Sequence, residues 1–313
     1  MIANWSRMYP PTCRDQPYTP PHRAYFCHVL DPPTTVTSVI GLYRARIAAL
    51  HGEAGACAIV RAVIGERLGW DPMQLEMRRS DRLNEQVLLK LKATLDRIAT
   101  GEPMQYVLGE VRFHGLRIKV DPSVLIPRPE TEELVQLIID RTTAPTGHVV
   151  DIGTGSGCIA LALKQDRRTV QVTGIDISVD ALEVCRNNAA LNDLEVHWRQ
   201  ADVLDDAFEL PPCDLVVSNP PYVPREDTSD MARHVVDHEP HLALFVPGDD
   251  PLLFYRKISA AALTALRPGG SLWFEGHYRT APSVGDLLKK AGWCMVQVWD
   301  DMNGKPRFIQ AVR

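Results

Sequence analysis

The sequence is short of anything that would staple it or hold it in a bilayer. Its seven cysteines (Cys13, Cys27, Cys57, Cys158, Cys185, Cys213 and Cys294) are odd in number, scattered, and include no C-x-x-C pair. That excludes a disulfide framework or zinc knuckle as the organising principle and fits a reducing compartment, the cytoplasm. No uninterrupted run of about 18 apolar residues occurs, so no membrane span is expected. The opening Met1-Ile2-Ala3-Asn4-Trp5-Ser6-Arg7 lacks the apolar stretch of a signal peptide. An excess of positive charge is missing too. Lys and Arg number 34 against 39 Asp and Glu, a net charge of −5, so no general basic balance advertises nucleic acid or an anionic membrane. What is present is ordinary for a soluble protein, with 45% hydrophobic and 23% charged residues in 313. That length suggests about two domains, with a core large enough to need no cross-links.

Residues 1–33 hold seven prolines and no helical period, which predicts a disordered or irregular extension. Residues 34–103 read as a helical domain. Val36, Val39, Ile40, Tyr43, Ile47 and Leu50 recur at helical steps, as do Cys57, Val60, Ile64 and Leu68. Gly69 and Pro72 interrupt the pattern before Leu83, Val87, Leu88, Leu91, Leu95 and Ile98. No chemistry shows there, so its simplest role is to dock a partner or substrate. Residues 104–122 alternate around His114-Gly115 and predict a β-hairpin linker, with His114 as a turn residue. In the domain 123–313, Pro129 and Glu130, Glu132 and Glu133 suit the first turn of a helix. That turn is either simply a well-capped start or one that also lies over a cofactor.

From residue 148 strands and helices alternate. Strands are expected at 148–152, 170–176, 194–200, 214–218, 271–275, 293–299 and 306–312, and helices at 157–165, 178–191, 252–267 and 281–291. This is the pattern of a doubly wound, mostly parallel α/β sheet. The turn 300–304 suits an antiparallel final pair.

Two strand ends carry chemistry. Asp151-Ile152-Gly153-Thr154-Gly155-Ser156-Gly157 ends one strand and opens a helix. Its glycines let a ligand approach the backbone and the free N–H groups of the helix start. Asp176 ends the next strand, where a carboxylate suits a ribose diol. Cys158 stands where the dinucleotide fingerprint needs glycine, and the tight glycine spacing favours an adenosine-bearing cofactor without a pyrophosphate. Asp202 and Val203 follow the third strand. Asp202 either accepts from an adenine amino group or caps a turn.

The second stretch is Asn219-Pro220-Pro221-Tyr222, after the apolar run 214–218. Two prolines cannot continue a central strand, so the chain leaves the sheet stiffly. The Asn219 side-chain oxygen, the Pro220 carbonyl and the Tyr222 ring are brought close together, an arrangement that can grip a planar NH2 group. Other candidates are weaker. His234 and His238 are four apart, but Val235 stands where a zinc-protease helix needs Glu. Glu226, Asp227 and Asp230 read as a solvated loop face, and neither Cys158 nor Cys185 has a triad.

With these stretches placed, residues 34–313 resemble the class I S-adenosylmethionine-dependent methyltransferases, and more closely the HemK/PrmC family of protein-glutamine methyltransferases. The resemblance also rests on Gly101-Glu102-Pro103-Met104-Gln105-Tyr106 and on Leu125-Ile126-Pro127-Arg128-Pro129-Glu130-Thr131-Glu132. It implies a seven-stranded methyltransferase sheet, S-adenosyl-L-methionine as cofactor, and class I peptide chain release factors, methylated at the glutamine of Gly-Gly-Gln, as protein partner. A cytoplasmic monomer with no membrane and no direct nucleic-acid partner is the expected setting. It carries cofactor contacts onto Gly153, Thr154, Gly155, Ser156, Gly157, Asp176, Asp202, Val203 and Asn219. It carries the acceptor-amide site onto Asn219, Pro220, Pro221 and Tyr222, with Asn219, Pro220 and Tyr222 catalytic. The chain departs from the family at 247–251, at Gly276-His277-Tyr278-Arg279, and in residues 1–33. Two alternatives stand beside this. One is glutamine methylation of a large-subunit ribosomal protein, whose branch tends to read Pro-Arg-Ser where this chain has Pro127-Arg128-Pro129. The other is methylation of an adenine amino group, which presents the same planar NH2.

Overall fold

The computed structural model describes residues 34–142, 147–226, 231 and 233–313, with Arg233 described by its backbone alone. The extension expected over 1–33 lies outside them, as do Asp227 and Asp230. The chain divides between Leu108 and Gly109 into two compact units.

The first unit contains α1 (Val36–Leu68), α2 (Pro72–Met77), α3 (Glu85–Ala99) and α4 (Met104–Leu108). The two apolar stripes of the sequence are one long element broken at Gly52, whose φ of 69° and ψ of 166° interrupt the helix. Glycine takes that conformation at little cost. Thr35 and Ser38 form a capping box at the start of α1. Asp71 caps α2, with Pro72 in its first turn. Leu91, Leu95 and Ile98 close on Val39, Tyr43, Ile47, Val60 and Ile64 in one core. α1 contains an 18-residue window of mean hydropathy 1.5, bilayer-like by composition although no uninterrupted apolar run exists. Its break at Gly52 and its buried face against α3 are those of a bundle helix. α4, with Tyr106 and Val107 buried, stands where the sequence reading expects the hairpin to begin.

The second unit opens with the antiparallel hairpin β1 (Glu110–Phe113) and β2 (Leu116–Lys119). It turns at His114 and Gly115, both with positive φ, 47° and 81°, as a two-residue hairpin loop requires. The other edge of β2 is covered by side chains. Asn188 and Asn192 accept from the Lys119 and Arg117 N–H groups and donate to their carbonyls, at 2.7–3.1 Å, in place of another strand.

The sheet follows. In chain order come α5 (Pro129–Arg141), β3 (His148–Ile152), α6 (Cys158–Asp166), β4 (Gln171–Asp176), α7 (Val179–Leu191), β5 (His197–Gln200) and β6 (Cys213–Ser218). Then come α8 (Arg233–His238), α9 (His241–Leu244), α10 (Leu253–Ala265), β7 (Leu266–Glu275), α11 (Ala281–Lys290), β8 (Met295–Asp300) and β9 (Pro306–Val312). Seven strands lie in the order β5-β4-β3-β6-β7-β9-β8. The first five are parallel, and β9 runs antiparallel between β7 and β8. The doubly wound α/β sheet read from the sequence is the fold. Val150, Ile152, Val216, Leu272 and Phe274 form its centre with Tyr255 and Ile258 of α10 and Leu288 of α11.

Three local differences have local causes. β5 begins at His197 rather than 194, because Asp193 has a φ of 53° and the Leu194 N–H donates back to Ala189 at the end of α7. β7 starts at Leu266, ahead of 271, and crosses an irregularity opposite Cys213 and Leu215. The helices α8 and α9 lie in what reads as a long loop; six and four residues are too few for a helical period to register.

One close approach inside the sheet makes a stability test. Trp198 pairs with Gly174 across β4 and β5, and a Cβ at Gly174 would stand 2.3 Å from the indole ring. Gly174→Ala should therefore cost about 1–3 kcal/mol of unfolding free energy as the ring is forced aside. Urea titration of the two proteins measures this.

Candidate active site

The strand order reverses direction between β3 and β6. The connection after β3 winds outward to β4 and β5, and that after β6 winds the other way to β7. The crevice beyond the C-terminal ends of such a pair is where open α/β sheets bind ligands. Ile152 and Ser218 are in register there, and the buried Ser218 hydroxyl donates to the Ile152 carbonyl at 2.7 Å. This bond ties the two strands together where each turns into its motif.

Beyond Ile152 the chain turns through Gly153, Gly155 and Gly157, with φ of 67°, 56° and 80°, where a side chain would be strained. The Gly153 and Thr154 N–H groups both donate to Ile175, at 2.9 and 3.0 Å. A Cβ at Gly153 would meet no atom within 4 Å, so backbone is open to a ligand there. At Gly157 it would come within 3.0 Å of Trp198 and 3.2 Å of the Cys185 sulfur. The first glycine leaves room and the last permits close packing. Thr154 and Ser156 are buried; the Thr154 hydroxyl donates to Asp151 Oδ2 at 2.6 Å and the Ala160 N–H adds a bond of 3.2 Å. Asp151 is fully buried, its Oδ1 has no hydrogen-bond partner among the described residues, and burial pushes its carboxyl up to about 7.

Asp176 ends β4 and accepts from the Gly155 N–H (2.9 Å) and the Ser178 N–H (3.0 Å); burial still outweighs these bonds and raises its carboxyl. Asp202 is exposed and accepts the Leu204 N–H at 2.8 Å, closing a turn after β5. Val203 packs against the core.

At the corner after β6, Asn219 is half-buried and Pro220 buried. Among the described residues no backbone N–H outside the regular elements donates to the Pro220 carbonyl. The Tyr222 ring lies 5.9 Å from that of His277, and burial pushes its hydroxyl up to about 12. Val223 then pairs across the end of α9, donating to Leu244, its last residue, and accepting from Val246 just beyond it. A cavity of about 360 Å³ opens here, lined in part by Arg128, Asn219, Pro220, Tyr222, Glu275 and His277. Pro221, the glycine loop, Asp176, Asp202 and Val203 are not in its wall. The two sets of sequence candidates therefore flank adjacent strand ends, with Asn219 at the border.

The start of α5 joins the corner. Arg128 pairs with Glu239, whose side chain is wholly buried, and the Ile126 N–H donates to the other Glu239 oxygen at 3.2 Å. The Thr131 hydroxyl donates to Glu275 Oε2 at 2.7 Å, and Asn219 Nδ2 lies 3.4 Å from the same hydroxyl. Burial holds the Glu275 carboxyl up at about 7. Glu239 is thus committed to Arg128 rather than to a metal beside His238. Burial also pushes the Cys158 thiol up to about 12 and Cys185 upward, the opposite of what a nucleophile needs.

Residues 44–109 match the PrmC N-terminal domain, and residues 130–244 match the Methyltransferase small domain. A release factor glutamine methyltransferase of Bacteroides thetaiotaomicron is 38% identical over 257 residues, 82% of this chain and 92% of the relative. The chain belongs to the release factor glutamine methyltransferase family. Another member, from Streptococcus pneumoniae, is 43% identical over 193 residues, 62% of this chain and 68% of its own. A solved methyltransferase from Pyrococcus furiosus superposes with a TM-score of 0.47 at 18% identity, over 63% of this chain and 89% of its own.

For this family member, motif reading found the two strand ends but missed the groups around them. Thr131, Glu275 and Glu239 were not singled out as site residues. A carboxylate directly after an apolar strand, the signal that found Asp176, was equally present at Glu275.

The Arg128–Glu239 pair yields a test. Arg128→Met leaves a buried carboxylate without its cation, at a cost of about 2–4 kcal/mol given that Arg128 is itself partly exposed. Amide hydrogen exchange over 233–245 should quicken in the variant, and urea titration should give the loss.

Proposed function

We propose that this chain methylates the side-chain amide nitrogen of the glutamine in the Gly-Gly-Gln motif of class I peptide chain release factors, in the cytoplasm and as a monomer, using S-adenosyl-L-methionine. The observation that carries this is the register of Ile152 with Ser218. It sets an open glycine loop beside an Asn-Pro-Pro-Tyr corner, in a chain 38% identical to a protein named for this reaction.

The residues fit the cofactor. Gly153 leaves open space where a Cβ would stand. Asp176 lies at the end of β4 with lone pairs remaining for a ribose diol, and Asp202 Oδ2 and Val203 would flank an adenine. When bound, S-adenosylmethionine supplies an electrophilic methyl group on a sulfonium.

The protein's task is the amide. A carboxamide nitrogen is a poor nucleophile because its lone pair is delocalised into the carbonyl. Asn219 Oδ1 and the Pro220 carbonyl would accept its two N–H hydrogens, from directions that favour a pyramidal nitrogen. Tyr222 would lie against the amide face, favouring the positive charge that develops on nitrogen. Both acceptors are neutral and fixed by the stiff Pro-Pro corner, so positioning and electrostatics do most of the work. No strong base is needed before attack, since the nitrogen loses its proton after the methyl is bonded.

A labelled methyl-transfer assay offers release factor, large-subunit ribosomal protein and DNA separately. Release factor should take the label; labelling of either other substrate alone would replace the assignment. Asn219→Ala should lower turnover about 100-fold or more, as for loss of one transition-state hydrogen-bond partner, while calorimetry still detects cofactor binding. Undiminished turnover would remove Asn219 from the mechanism.

A further inference from the structure

An asparagine carboxamide can present its oxygen or its NH2 group from nearly the same shape, and its surroundings decide which. Three side chains from three elements stand in a row at the corner. Asn219 Nδ2, after β6, is 3.4 Å from the hydroxyl of Thr131, in the first turns of α5; that hydroxyl is 2.7 Å from Oε2 of Glu275, at the end of β7. Both Thr131 and Glu275 are buried, at 3% and 2% exposure, so water cannot substitute freely for either.

A threonine hydroxyl has one proton to give. An ionised Glu275 can only accept, so that proton goes to Oε2 and the hydroxyl's lone pair faces Asn219. One of the two Asn219 N–H donors is then engaged by that lone pair, which turns the NH2 side of the carboxamide toward Thr131 and leaves Oδ1 to accept from a ligand. We propose that Thr131 and Glu275 are positioning residues that hold the Asn219 carboxamide with its oxygen toward the substrate amide, and that protonating Glu275 undoes this. With a proton on Glu275 the row can run the other way. Glu275 donates to Thr131, Thr131 donates to the Asn219 oxygen, and an NH2 group meets the NH2 of the substrate. The idea rests on the proposed glutamine reaction for its consequence, though not for its geometry.

Among the described residues, the charged groups acting on Glu275 include Arg307 from β9 and Arg128 and Glu130 from the start of α5. Tyr222 at the corner and His277, two residues on in the same cavity wall, are titratable neighbours. Tyr255 of α10 and Cys158 of α6, both neutral near neutral pH, also face it. Burial outweighs the arginines and holds the carboxyl at about 7. Glu275 ionises as pH rises through that value, so the productive orientation, and turnover with it, gains on the alkaline side.

The test uses the full chain. Thr131→Val should lower kcat about 10- to 100-fold, the cost of losing an orienting partner, with KM for both substrates and the urea midpoint near wild type. Thr131→Ser, which keeps the hydroxyl, should restore kcat to within about threefold. A readout free of turnover is the side-chain NH2 resonance of Asn219 in asparagine-¹⁵N-labelled protein, identified by its loss in Asn219→Ala. It should move with pH around a midpoint near 7 and stop moving in Glu275→Gln. Equal kcat in the valine and serine variants, a resonance indifferent to pH in the wild type, or an unchanged titration in Glu275→Gln would each overturn the proposal. If the resonance behaves as expected but the wild type transfers no methyl group to release factor, the proposed function fails and the positioning stands.

Discussion

The site depends on the parallel pairing of β3 with β6. Parallel neighbours bring their C-terminal ends to one level, so a loop leaving β3 and a corner leaving β6 face the same crevice. The pairing is exact in a way that matters chemically. A slip of one residue would turn every side chain to the opposite face, burying Asp151 elsewhere and moving Asn219 away from α5. Val149, Val150 and Ile152 on β3 and Leu215, Val216 and Val217 on β6 are all nearly inaccessible, so such a slip is costly on both faces. The Ser218–Ile152 bond fixes the last step, where backbone pairing runs out.

From that fixed edge the rest of the site is reached by chain segments that would otherwise be loose. The start of α5 is held by Arg128 on Glu239 and by Thr131 on Glu275. The segment after the corner is held by Val223 against Leu244 and Val246. Each of these contacts joins parts of the chain far apart in sequence, and each ends beside the Asn-Pro-Pro-Tyr corner. The cavity wall is therefore assembled from several elements, with a stiff backbone at its centre.

What the sequence reveals follows from this division. The glycine loop and the Pro-Pro corner are legible because glycine and proline act on their own backbone, wherever the rest of the chain lies. The alternation of strands and helices is legible because burial repeats at short range. Thr131 and Glu275 are 144 positions apart, and Arg128 and Glu239 are 111 apart; no local pattern links such pairs. Asp202 shows the middle case. Its turn-capping bond to Leu204 is local, and a role toward adenine belongs to a ligand rather than to the chain. α8 and α9 escaped notice because their positions are set by Glu239 and Val223, contacts no periodicity encodes.

The same arrangement ties function to stability through charge. Asp151 lies one residue before the end of β3, Asp176 and Glu275 end β4 and β7 of the same sheet, and burial raises the carboxyl of each. A carboxyl whose folded value lies above its unfolded one favours the fold while it is protonated. That contribution is complete below the ordinary carboxylate range and is lost as pH climbs toward the folded value, about 7 for Asp151 and Glu275. Above it these groups are ionised in poorly solvated positions and weaken the sheet edge they line. Of the three, Glu275 lines the cavity, so a cation or N–H donor placed there would offset its penalty by stabilising the ionised form where water cannot.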